Sequence, residues 1–509
     1  MAGFNMPQKP EPIWRESVSL PSFPALKESI KADVAIVGGG ITGITAAYLL
    51  TQQNLKVVLL DANQILNGTT GHTTAKITAQ HGLIYDELLS HFGLEKASLY
   101  YKAAEEAKQF IEHTVKENSI KCDFRNEDAY IYTNSSSYLK KLDTEKKAYD
   151  KLKIKGKLSD NMPLDLPIKG SLVMYNQAQF HPLKYLKALL EEAIKNQLTV
   201  YENTIAADIE FNKKTSIVTS DGHRITCKYI IAASHFPFHD SRSFYFARMY
   251  PERSYLVAGK QNEKFAGGMY INAESPTRSI RSANIDGKDM LLFGGENHKT
   301  GQGKSTMSHY EALQKFAKEF FEVEEIEYRW SAQDLTTLDK VPYIGPATKD
   351  NRTYLTATGF RKWGMTNGTI AGKILTDYIT GTENPYFDLF TPSRFHADPA
   401  VKKFMEINAD VAKHMIKGKL EFTQNNIDKL ERDDATLARI DGKRVGVYKD
   451  KDEAIHMVDT TCTHLGCEVK WNSGDRTWDC PCHGSRFSYT GEVMEGPAKK
   501  PLTRIKANN

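Results

Sequence analysis

The stretch Ala32-Asp-Val-Ala-Ile-Val-Gly38-Gly-Gly40-Ile-Thr-Gly43 reads as a buried strand, a tight glycine turn and the start of a helix. The apolar run 34–37 precedes the turn. Ala46, Ala47, Leu49 and Leu50 supply apolar positions on the helix, and the run 57–60 leads to Asp61. In a dinucleotide site Gly38 permits the sharp turn, and Gly40 lets a pyrophosphate approach the backbone. Gly43 allows helix and strand to pack closely, while Asp61 hydrogen-bonds the adenosine ribose. The motif by itself leaves nicotinamide and flavin both open.

Segments far along the chain favour flavin. Residues 225–233 read as a strand returning to the nucleotide sheet, and 330–345 contain Asp339, Pro342 and Gly345. Tyr354-Leu-Thr-Ala357-Thr-Gly359-Phe is followed by Trp363-Gly364-Met365-Thr366-Asn-Gly368 and an apolar helix. With these segments, residues 30–385 resemble FAD enzymes of the D-amino-acid oxidase and glycine oxidase superfamily. The resemblance implies an α/β FAD-binding domain of the glutathione-reductase type, drawn from about 30–90, 190–240 and 330–385. An α+β substrate domain is then expected between those portions, roughly at 165–190 and 240–330. It further implies that Gly359, Gly364, Met365 and Thr366 bring backbone amides and a helix start to the N1 and O2 side of the flavin. A positive helix end there stabilises negative charge on reduced flavin.

Asn67-Gly-Thr-Thr70-Gly-His72-Thr-Thr-Ala-Lys76 falls where that superfamily approaches the flavin dimethylbenzene and pyrophosphate region. Thr70 and His72 are therefore candidate FAD contacts. Sarcosine and dimethylglycine dehydrogenases have a similar segment, in which the histidine after a tryptophan is tied covalently to FAD. This chain has Gly71 in place of that tryptophan, so a noncovalent role for His72 is the expectation. Arg281, before Asp286-Gly287 and Gly294-Gly295, resembles the arginine that many members place over the flavin to bind a substrate carboxylate. A structural arginine is the competing reading. His181-Pro182 reads as a helix entrance rather than a catalytic acid.

Near the other end stand Cys462-Thr-His464-Leu-Gly-Cys467 and Cys480-Pro-Cys482-His483-Gly-Ser485, holding four of the six cysteines. Paired Cys and His ligands suit the two irons of a Rieske [2Fe-2S] centre, and short Cys/His spacing also suits tetrahedral zinc. The two clusters closely resemble Rieske proteins of the cytochrome bc type. That resemblance implies an all-β domain in which Cys462 and Cys480 bind the inner iron, and His464 and His483 bind the outer iron near solvent. It also implies a Cys467–Cys482 disulfide between the cluster loops and a Ser485 hydrogen bond to a cluster sulfide. Phe487 stands where those proteins often carry a tyrosine, and Gly496-Pro497 with Pro501-Leu502 resembles the proline loop that covers the cluster.

A chain of 509 residues suggests about three domains. The expected layout is an N-terminal extension at 1–29, the flavin oxidoreductase at 30–385, a linker at 386–430 and the Rieske domain at 431–509. A formal net charge of +4 is too mild to argue for nucleic acid, and no basic run is interleaved with stacking aromatics. The N-terminal residues have no long apolar core for secretion, and no stretch approaches about eighteen uninterrupted apolar residues. A cytoplasmic location is expected, although the disulfide sits awkwardly there. Cys122 and Cys227 read as ordinary thiols. In the linker, Phe404, Ile407, Val411 and Met415 fall at helical spacing beside Lys402, Lys403, Lys413 and Lys417. Packing of that stripe on the flavin domain is expected in preference to peripheral contact with a membrane.

Together the motifs describe a two-to-one electron converter. The resemblances imply dehydrogenation of a CH–NH or CH–NH2 group of an amine or amino acid at FAD. Single electrons would then pass through the [2Fe-2S] cluster to an external acceptor, a protein or a quinone. Flow from the cluster to the flavin, for reduction or monooxygenation, and a noncatalytic redox-sensing module remain open at this level. Rieske-type ring hydroxylation lacks support, because the sequence offers no evident two-histidine, one-carboxylate iron site.

Overall fold

The computed structural model describes residues 6–506, apart from 212–214, 241–242, 261–264, 304, 395–396 and 421–426. Val34–Val37 is buried on both faces, as a central parallel strand must be. It pairs in parallel with Val57–Leu60 on one side and Tyr229–Ala232 on the other. Leu198–Tyr201 and Asn351–Thr358 extend this parallel arrangement, and Tyr343–Thr348 closes the six-stranded sheet in antiparallel fashion. Distant segments thus converge on one nucleotide-type sheet. The helix Ile41–Thr51 follows the glycine turn and crosses the helix Gly364–Thr380 closely. A Cβ on Gly368 would lie 2.6 Å from Ile41, and one on Gly372 would lie 2.7 Å from Thr45.

A nine-stranded sheet forms the substrate portion and is larger than the expected ranges. It recruits Lys76–Ile77, Arg125–Thr133 and Gly156–Ser159 from outside those ranges, beside Gly170–Gln179 within them and the strands after residue 248. Period-two alternation reveals a half-buried strand only where its two faces differ, and Val173 and Met174 are both buried. His181 caps the helix Pro182–Lys195, its Nδ1 accepting from the Lys184 N–H at 3.3 Å. The expected N-terminal extension is part of the core: Ile13 and Trp14 are fully buried, and Trp14 donates to the Thr73 carbonyl at 2.7 Å.

The C-terminal portion is built from a three-stranded sheet, Asp434–Ile440, Lys443–Lys449 and Ile455–Asp459, and a four-stranded one running from Lys470–Asn472 to Val493–Glu495. Its core gathers Val458, Val469, Trp478, Phe487 and Leu502 around the cysteines. The linker helix spans Ala397–Leu420. Its stripe does not pack on the flavin portion alone, because Val411 and Met415 meet the C-terminal core while Phe404 is exposed. Asn408 anchors the helix to the flavin portion by donating to the Ala247 carbonyl at 3.1 Å. Among the described residues no helix is long and apolar enough to cross a membrane.

Candidate flavin and cluster sites

At the glycine turn the chain leaves a cradle that side chains would fill. Gly38 has φ +112°, and a Cβ there would sit 2.4 Å from the Ala233 carbonyl oxygen. On Gly43 a Cβ would come 2.0 Å from the Gly38 carbonyl, so helix and strand meet as a dinucleotide site requires. A Cβ on Gly40 would crowd Thr70 Oγ1 at 2.9 Å, and that oxygen accepts from the Ile41 N–H at 3.1 Å, the first residue of the helix. Asp61 accepts from Gly39 N–H at 2.8 Å and Asn63 N–H at 2.9 Å, fixing the turn while retaining lone pairs for a ribose. Burial raises its pKa. Thr356, at the carboxyl end of a central strand, holds a buried hydroxyl with no partner among the described residues, where such sheets bind ligands. These residues fit FAD.

His72 ends the turn Thr69–His72, with its Nδ1 on the Gly68 carbonyl at 3.0 Å. Burial lowers its pKa, so the ring is neutral and Nε2 carries the lone pair. Gly359 has φ +79°, and both Arg361 at +46° and Lys362 at +65° continue in the left-handed region. Consecutive non-glycine residues there are costly, and such strain concentrates at ligand sites. Gly364 opens the following helix and Met365 is buried. The Thr366 hydroxyl is engaged with Thr78, donating to its carbonyl at 2.9 Å and accepting from its N–H at 3.2 Å. Arg281 is buried, with Nε committed to the Ser282 carbonyl and Nη1 to the carbonyls of Thr74 and Ala75. Sequence reasoning missed Asp334. Its Oδ1 accepts from the Lys362 N–H at 3.1 Å, and burial lifts its pKa to about 6, within reach of proton exchange near neutrality.

The C-terminal loops bring Cys462, His464, Cys480 and His483 together. The two imidazole rings stand 5.0 Å apart at 90°, and both Nδ1 atoms are buried without a partner among the described residues. Burial holds His464 to about 4 and His483 to about 3, keeping both rings neutral as metal ligation requires. Cys462 and Cys480 are free and buried. The Cys480 thiol, with Ser485 also in contact, holds Cys462 down to about 7. Cys467 and Cys482 form a disulfide, which removes two sulfurs from any zinc set. Two orphaned imidazole nitrogens and two free thiols are the donor set of a Rieske [2Fe-2S] centre.

Two family models divide the chain between them. Residues 33–378 match the model described as DAO, FAD dependent oxidoreductase, and residues 422–506 match the Rieske [2Fe-2S] domain. The chain belongs to the DAO family of FAD-dependent oxidoreductases. It carries a C-terminal Rieske domain and thus pairs FAD with a [2Fe-2S] cluster. A "Putative Rieske 2Fe-2S iron-sulfur protein YhfW" of Bacillus subtilis (strain 168) is 49% identical over 98% of each chain. A gamma-glutamylputrescine oxidoreductase of Escherichia coli (strain K12) is 24% identical, covering 72% of this chain and 88% of its own. Glycine oxidase from Geobacillus kaustophilus has the same fold over 72% of this chain and 99% of its own, with TM-score 0.60 and 16% identity.

The DAO and Rieske portions are joined by contacts that sequence reasoning did not anticipate. His483 is buried and His464 half-buried, so only His464 of the expected solvent-facing histidine edge keeps exposure. Phe246 of the DAO portion covers it, its ring 5.7 Å from His464 and 5.5 Å from His483, both edge-on. Arg253 pairs with Glu495, Tyr310 donates to Asp475 at 2.8 Å, and Thr306 donates to Asn472 at 2.7 Å. Partners so far apart in sequence leave no local signal.

Proposed function

We propose that the chain oxidises a C–N bond of a small amine or amino acid and passes the electrons singly to an external acceptor. FAD would supply the capacity to accept a hydride and release single electrons, and the cluster would carry them one at a time. The observation that carries this reading is Phe246, which sets both expected histidine ligands against the DAO portion. Such an arrangement supports electron exchange inside the chain. The substrate class rests on the relatives, one titled gamma-glutamylputrescine oxidoreductase and one glycine oxidase.

In this reading Gly38, Gly40, Gly43, Asp61, Thr70 and His72 hold the dinucleotide and the near edge of the flavin. Backbone groups of Gly359, Gly364, Met365 and Thr366 face its far side. Cys462, Cys480, His464 and His483 ligate the cluster, with Ser485 beside Cys462. Arg281 receives a substrate carboxylate, and Asp334 exchanges a proton near Lys362. The acceptor is a cytoplasmic one-electron carrier, protein or quinone.

Anaerobic mixing of the holoprotein with a panel of amines and amino acids tests the reading. Flavin bleaching followed by the EPR signal of the reduced cluster supports it. Bleaching by no member of the panel, with rapid cluster reduction by a ferredoxin or quinol, would reverse the direction of flow.

A further inference from the structure

The strands Met249–Lys260 and Tyr328–Thr337 pair with Arg253 opposite Gln333 and Tyr255 opposite Ser331. Side chains alternate across a sheet, so Pro251, Arg253, Ser331 and Gln333 share one face, while Trp330 and Asp334 share the other. The first face receives the Rieske portion. There Arg253 meets Glu495, and Ser331 donates to Asp475. The second faces the flavin side, where Trp330 donates to the His72 carbonyl at 2.9 Å and Asp334 accepts from Lys362. One layer of backbone therefore separates the two sites.

Gln333 touches both sides of that layer. Its side-chain Nε2 donates to the Gly484 carbonyl at 2.9 Å, in the loop between His483 and Ser485. Its Oε1 accepts from Thr300 Oγ1 at 2.7 Å, and the Gly484 carbonyl, which can only accept, decides that the amide nitrogen is the end that faces it. The Gln333 backbone carbonyl accepts a long hydrogen bond from Thr69 Oγ1 at 3.4 Å, in the turn that carries His72. The fit at Gly484 is tight. With φ +77°, a Cβ there would lie 2.6 Å from Pro251 and 2.7 Å from Gln333 Oε1. Buried side-chain contacts of this kind fix distance as well as adding stability.

We propose that Gln333 is a positioning residue for electron transfer within the chain, clamping the Cys480–Ser485 loop at a fixed distance from the Thr69–His72 turn. The proposal rests on the reading that flavin and cluster exchange electrons. Each transfer oxidises reduced flavin by one electron and reduces the oxidised cluster by one. Two transfers, with the cluster reoxidised by the external one-electron acceptor between them, restore oxidised flavin and release its protons to water.

The test uses the full-length holoprotein and light-driven flavin reduction by a deazaflavin with a sacrificial donor, so that no substrate is needed. Gln333→Met keeps the volume and removes both amide contacts. Severalfold slower transfer to the cluster is expected, with FAD content, both midpoint potentials and the cluster g values unchanged, and with faster amide exchange in residues 480–485. Thr300→Val, which removes the partner of Oε1 and leaves the Gly484 contact in place, should give a smaller slowing in the same direction. An unchanged rate in both variants overturns the proposal, as does a slowing that comes with a shifted potential or g values. Failure of the unaltered chain to move any electron to the cluster would instead defeat the function on which the proposal rests, and the proposal with it.

Discussion

Arg253 and Glu495 lie 242 positions apart in sequence and meet in a two-pronged ion pair, Arg253 Nη2 standing 3.1 and 3.0 Å from the two carboxylate oxygens. Arg253 is wholly buried and also approaches Asp479 at 3.7 Å. Arg486 joins Asp475, Asp479 and Glu495 on the Rieske side. Removing one member of a buried ion pair leaves uncompensated charge and typically costs about 3–5 kcal/mol. Arg253→Met is expected to lower the urea midpoint and to expose the linker helix to protease while the FAD spectrum persists. Unchanged proteolysis and unfolding would refute an interface held by this pair.

The same network sets a pH dependence. Burial alone would raise the carboxyl groups of Asp475, Asp479 and Glu495, but the guanidinium groups of Arg253 and Arg486 outweigh it and lower all three. A carboxylate with a depressed folded pKa contributes stability that is present above its unfolded value, about 4, and is lost as pH falls through the folded value. Docking of the two portions should hold at neutral pH and loosen below about pH 4. Small-angle scattering across that range checks it, and loosening that sets in above pH 6 would contradict it.

Phe487 is fully buried in the core that contains Cys462 and Cys480. A hydroxyl at this position would add a hydrogen bond toward the cluster, and such bonds stabilise the reduced form. The unaltered chain is expected to have a lower potential than tyrosine-bearing Rieske proteins. Phe487→Tyr should raise it by about 40 mV, the equivalent of roughly 1 kcal/mol for one electron. A redox titration followed by EPR measures the change, and a fall in potential would refute the assignment.

Gly71 explains the departure from the covalently flavinylated segments. A Cβ at this position would stand 2.2 Å from the Leu66 carbonyl oxygen, so the turn has no room for the tryptophan that precedes the linking histidine in those enzymes. Acid precipitation should therefore release all the FAD from the protein. Flavin fluorescence remaining in a washed pellet would show that His72 is linked after all.

The glycine turn, Asp61, the late glycine segment and the two Cys/His loops were legible in the sequence because each is a local device. Backbone freedom, helix starts and ligand spacing need only near neighbours to be recognised. The structure builds a strand at Val34–Val37 and a helix at Ile41–Thr51, in line with that reading, and a disulfide at Cys467–Cys482, as the resemblance to Rieske proteins implied. Tertiary structure alone decided the rest. How the Arg281 donors are committed depended on the carbonyls of Thr74 and Ala75, some 206 positions away. Whether the histidine edge met water depended on Phe246, and the contact of Gln333 with Gly484 spans 151 positions. Burial and pairing between distant segments are properties of packing, and a linear pattern encodes a residue's own preferences but not the neighbour that will cover it.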